Sequence, residues 1–86
     1  MNKKTIDFVI MTIGLFGNTM FYVQAFKIFE LKSADSVSLN AFLISLLALS
    51  SWTYYGFYLK NTPLVVANLF GIFGTILVLS GIYIYS

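Results

Sequence analysis

Apolar residues fill this chain in three long runs, interrupted only where charges and turn-forming residues gather. Residues 8–26 make 19 positions without a charged side chain, residues 36–59 make 24, and residues 61–86 make 26. A helix rises about 1.5 Å per residue, so about 20 apolar residues cross a hydrocarbon core about 30 Å thick. The pattern predicts three membrane-spanning helices, over about residues 5–29, 38–59 and 63–85.

The interruptions carry their own signals. Between the first two runs Glu30, Lys32 and Asp35 mix with Ser33, Ala34 and Ser36, and Ser38 stands where an N-cap of the second helix belongs. The second connection is only Lys60-Asn61-Thr62. Pro63 suits the first turn of the third helix, where its missing N–H needs no partner. Links this short make consecutive helices neighbours or near neighbours. The opening Met-Asn-Lys-Lys resembles the start of a secretory signal, but the apolar run exceeds the usual core of about 7–15 residues. No small-x-small cleavage site follows it, so an uncleaved first helix is expected.

Composition narrows the chemistry. Of 86 residues, 59% are hydrophobic and 9% charged, against about 25% charged in an ordinary soluble domain. One membrane domain over residues 1–86 is expected. With no Cys there is no disulfide, thiolate nucleophile or Cys-ligated metal, and with no His the commonest general base is missing. The three acids, Asp7, Glu30 and Asp35, lie outside the apolar runs. The reading is therefore not an enzyme, with no cofactor and no metal. Five scattered lysines without arginine give a net charge of +2, far from the clustered basic face that nucleic acid needs.

Polar residues inside the runs need partners, because lipid supplies none. Asn18, Thr19 and Gln24 lie in the first helix; Ser45, Ser50, Ser51 and Thr53 in the second; Asn68, Thr75 and Ser80 in the third. Hydroxyls can bond a carbonyl one turn back in their own helix, so the amides are the stronger signals. Asn68 is five residues past Pro63 and Trp52 is seven before Leu59, about 7–10 Å into the membrane from the same face. An indole face beside an amide suits a neutral polyhydroxyl ligand. The competing reading has Asn68 bonded to a neighbouring helix and Trp52 anchored at the interface; spacing alone leaves both open. The small residues Ala67, Gly71 and Thr75 form a stripe that permits close helix packing, and Gly14 and Gly17 give the first helix packing room or flexibility. No charged side chain lies in the middle of any run, which argues for an uncharged cargo and against ion coupling. Three helices cannot surround a solute pathway, so a homo-oligomer is expected.

The arrangement of Trp52, Tyr55, Gly56, Pro63 and Asn68 resembles the second and third helices of the bacterial SemiSWEET sugar transporters, half-size relatives of the SWEETs. Phe21-Tyr22-Val23-Gln24 followed by Lys27 resembles that family's Pro-Gln segment, and Lys32 with Val37-Ser38 its loop into the second helix. The resemblance covers nearly the whole chain. It implies an all-α triple-helix bundle with the third helix between the other two, paired in a parallel homodimer around one pathway. It also implies a sugar site at Trp52 and Asn68, with Asn18 and Ala48 beside them, and gate or hinge positions at Tyr55, Val23, Gln24 and Pro63. The implied activity is facilitated, uncoupled diffusion of a small mono- or disaccharide by alternating access. Transport of another small neutral metabolite, and a non-transporting scaffold subunit, are the alternatives. Val23 replaces the proline of the Pro-Gln pair, and Leu59 and Asn61 stand where many relatives carry arginine and aspartate. The resemblance places the chain in a bacterial inner membrane with its N-terminus outside, whereas the lysine count of three against two slightly favours the N-terminus inside.

Overall fold

Capping chemistry sets where the helices begin and end. In a computed structural model that describes residues 2–35 and 37–85, α1 runs Lys3–Leu31, α2 Leu39–Tyr58 and α3 Thr62–Tyr85. Met1, Ser36 and Ser86, which the sequence pattern assigns to the N-terminus, the first connection and the third run, lie outside the described residues. The Asn2 side chain accepts the Thr5 N–H at 2.8 Å, and Lys3 pairs with Asp7 one turn on at 2.8 Å. The helix α1 thus extends two residues beyond the expected 5–29 at each end, with polar capping at its start. Ser38 is the N-cap of α2, accepting the Ala41 N–H at 3.1 Å. The Asn61 side chain accepts the Leu64 N–H at 3.2 Å, so α3 starts at Thr62 with Pro63 in its first turn.

Both connections use a lysine in the left-handed region. Lys32 has φ 51° and Lys60 φ 55°, and the N–H of the residue after each reaches back to Ile28 and Gly56 respectively, at 3.3 and 2.9 Å. These are helix-ending turns in which glycine is the usual occupant.

The helix α3 lies in the middle. It packs along α1 on one side and α2 on the other, and the rings of Phe21 of α1 and Phe42 of α2 meet edge to face at 5.9 Å. Close approach in the α1–α3 seam is made by small residues. A Cβ added to Gly14, Gly71, Gly74 or Gly81 would fall 2.7–2.8 Å from Ala67, Asn18, Phe21 with Tyr22, and Ile28, respectively. Positions 14, 18, 21 and 28 ascend with 67, 71, 74 and 81, so α1 and α3 run parallel, in the alternating steps of four and three that a heptad seam uses. Ala25 and Val78 fill the remaining step, both buried in the core with Phe21, Ile28, Ala34 and Ile82. In the other seam Gly56 meets Val65 and Leu49 meets Gly71, so α2 is antiparallel to α3.

That directionality bears on the membrane. The helices α1 and α3 are each long and apolar enough to span it, whereas α2, rich in Ser and Tyr, is not by composition. Two parallel spans in one chain require a return between them. The 20 residues of α2, at about 1.5 Å each, supply about 30 Å for it. The bundle is 46 Å long, matching a bilayer of about 40–45 Å with its headgroups.

Candidate functional site

The side chains singled out by sequence do not converge on an enclosed cavity; most of them form a surface. On α2, Ala48, Ser51, Trp52 and Tyr55 recur at helical spacing and are all exposed, Trp52 by 54% and Tyr55 by 46%. The adjacent face of α2, with Thr53 and Gly56, is buried against α3. Trp52 and Tyr55 meet edge to face at 5.8 Å, and Tyr55 stacks on Tyr58 at 6.4 Å. Ser51, Trp52 and Tyr55 line an open cleft of about 360 Å³. This wall leaves apolar ring faces and a hydroxyl side by side and uncovered, a surface able to pack a molecule with both apolar and polar faces.

Asn68 stands level with this wall. From Leu49 to Trp52 and from Gly71 back to Asn68 is three residues each way along antiparallel helices, so the two side chains share one depth. Asn68 lies on the α3 stripe of Leu64 and Gly71, both of which meet α2, and it is half-buried. Its amide nitrogen donates to the Leu64 carbonyl at 2.8 Å, within its own helix. The interhelical amide bond, which the sequence offers as one role for Asn68, is made by Asn18 instead. Its Nδ2 donates to the Ala67 carbonyl of α3 at 2.6 Å.

The remaining candidates are spread along the bundle. Ala48 is exposed one turn before Trp52. Val23 is exposed and Gln24 half-buried within an α1 that is unbroken from Lys3 to Leu31, so neither the missing proline nor Gly14 and Gly17 produces a bend that divides the helix. Pro63 is half-buried in the first turn of α3.

With this geometry in view, comparison with known proteins is decisive. A family model described as "Sugar efflux transporter for intercellular exchange" matches residues 6–86. The chain belongs to this family, the SWEETs. Among solved structures, one described as the crystal structure of a bacterial homologue of SWEET transporters superposes with a TM-score of 0.90 at 27% identity. The match covers 95% of this chain and 99% of that one. The near-complete mutual coverage supports a SemiSWEET-type bundle, and no curated protein gives a significant match.

Within this SWEET bundle, Tyr22 is a structural residue that the sequence did not single out by chemistry. Its hydroxyl donates to the Phe70 carbonyl at 2.7 Å and its ring stacks on Phe70 at 4.6 Å. Asn18 and Tyr22 are one turn apart on α1, and each lies over a glycine of α3, Gly71 and Gly74. Each bonds the carbonyl four residues before that glycine, the acceptor of the glycine's own helical N–H. The pair of glycines three apart was the available signal; the small-residue stripe read from sequence contained only Gly71 of the two. The hydroxyls behave as expected of weak signals: Ser45, Ser51, Thr53, Thr75 and Ser80 each bond the carbonyl four residues back.

Proposed function

We propose that two copies of this chain form a parallel homodimer that carries a small neutral sugar across the membrane by facilitated diffusion. The observation that carries this reading is the exposed stripe Ala48, Ser51, Trp52 and Tyr55, with Asn68 at the depth of Trp52. One bundle leaves this wall bare; a second copy related by a two-fold axis supplies the facing wall. The indole packs on the sugar ring and the Asn68 amide bonds its hydroxyls, after giving up its local bond to Leu64. Asn18 contributes at the pocket's edge through the part of its amide not used on Ala67, and Ala48 leaves room for the ring.

Alternating access then requires two arrangements within a few kcal/mol of one another, so that neither traps the dimer. Tyr55, with Trp52 and Tyr58 beside it, closes one end by aromatic packing near Pro63, and Gln24 and Val23 lie toward the other. The absence of charged side chains within the uncharged runs supports movement down the sugar gradient alone. The family resemblance supports a bacterial inner membrane location with the N-terminus outside.

Uptake of labelled mono- and disaccharides into proteoliposomes tests the assignment. Wild-type protein is expected to give saturable uptake, and Trp52→Ala and Asn68→Ala to abolish it while remaining folded. Wild-type-like transport by both variants removes the pocket from these residues. Competition by neutral amino acids but not by sugars would reassign the cargo on the same fold.

A further inference from the structure

Lys60 is the only charged side chain after Asp35, and it lines a second cleft of about 300 Å³ together with Gly56, Phe57, Asn61, Thr62 and Val65. We propose that this cleft is a binding site for an anionic phospholipid, the phosphate seated at Lys60, Asn61 and Thr62 and the acyl chain against Phe57 and Val65.

The cleft is separate from the transport wall. Phe57 is five residues past Trp52, about 140° further round the helix at about 100° per residue. Thr53 and Gly56, buried against α3, lie between the two directions. The cleft therefore opens on the opposite flank of the α2–α3 seam, the side that faces lipid when the Trp52 stripe faces a second copy.

Its chemistry is divided as a phospholipid is. One end is polar, with the Lys60 ammonium, the Asn61 amide and the Thr62 hydroxyl at the boundary of two spans. The other is apolar, with Phe57 and Val65 over Gly56, whose missing side chain lets Val65 approach: a Cβ there would lie 2.9 Å from the Val65 Cγ2. Charge complementarity selects the occupant. Among the described residues no acid pairs with Lys60: Asp7, at the same end of the bundle, is engaged by Lys3, and Glu30 and Asp35 belong to the other end. The backbone also holds the lysine in place. Lys60 occupies the left-handed position of the turn that ends α2, where glycine would be less strained, and the Asn61 N–H bond to Gly56 fixes that turn. The shared chemistry is a phosphate on an ammonium, and the apolar floor commits it to a lipid over a free anion.

Titration of short-chain phosphatidylglycerol into purified protein in neutral detergent, read by native mass spectrometry as lipid bound per chain, tests this. Lys60→Gln is expected to weaken binding about fivefold, Lys60→Arg to preserve it, and Lys32→Gln, the same charge change at the matching turn of the other end, to leave it unaltered. Equal loss in the Lys60 and Lys32 variants, or no loss in Lys60→Gln, overturns the site. Millimolar inorganic phosphate is expected not to displace the lipid. Displacement would mean a site for free anions and would overturn the lipid assignment. Both outcomes are read independently of sugar transport.

Discussion

Asn18 lies directly on Gly71: a Cβ at Gly71 would sit 2.7 Å from the Asn18 amide nitrogen, the same nitrogen that donates to Ala67 at 2.6 Å. The glycine makes the space and the amide uses it to tie α1 to α3. Gly71→Ala is therefore expected to cost about 1–3 kcal/mol through overpacking, with Leu49 also crowded at 3.0 Å. The cost should shrink when Asn18→Ala is already present, because the two changes share one volume. Unfolding titrations of the two single variants and the double variant in detergent measure the coupling, expected at about 1 kcal/mol. Strict additivity would mean that the two residues do not share the seam.

Tyr22 combines a ring stack with a hydrogen bond, and the two can be separated. Tyr22→Phe removes only the bond to the Phe70 carbonyl and is expected to cost about 0.6 kcal/mol, the average for such bonds in membranes. Tyr22→Ala also removes the stack on Phe70 and should cost several times more. The same unfolding titration distinguishes them.

Lys32 is held at φ 51° and ψ 40°, a conformation that an L side chain enters at a cost of about 1–2 kcal/mol. Lys32→Gly is expected to raise the thermal midpoint in detergent by relieving that strain, and Lys32→Ala, which keeps a Cβ, to leave it unimproved. A lower midpoint for Lys32→Gly would show that the lysine side chain contributes more than the strain removes.

Transport is expected to be insensitive to proton gradients. No Asp, Glu, Lys, Arg or His lies within residues 8–26, 36–59 or 61–86, so no side chain of those types is placed to load and release a proton with the cargo. Initial uptake rates in proteoliposomes should be the same with and without an imposed pH difference across the membrane. Accumulation of sugar above the external concentration when a pH difference is applied would contradict uncoupled movement.

The elements were legible because lipid makes them so: uncharged stretches as long as residues 36–59 and 61–86 have few alternatives to a helix in a bilayer. Ser38 and Pro63 marked helix starts for reasons that act within a few residues. What could not be read was the side-chain register between helices. Asn18 and Asn68 look alike in a one-dimensional pattern, yet one bonds across the α1–α3 seam and the other within its own helix, and only the register of α1 on α3 decides between them. The stripe of Ala67, Gly71 and Thr75 was half of the seam. Gly74 and Gly81, which receive Tyr22 and Ile28, lie on its α1 side, while Thr75 is buried and bonds back to Gly71. The candidate wall at Trp52 came from the pairing of an indole and an amide at one depth, a property of loop length and rise per residue, and the family resemblance pointed to the same two positions.

The central claim is that one chain supplies half of a pathway, and the absence of native cysteine makes it directly testable. Ala48→Cys places a single thiol in the exposed α2 stripe. Treatment of that variant in proteoliposomes with a short bis-maleimide is expected to give a covalent pair of chains, to block sugar uptake, and to do both less efficiently when sugar is present in excess. A protein that stays monomeric under this treatment and still transports sugar would contradict the account.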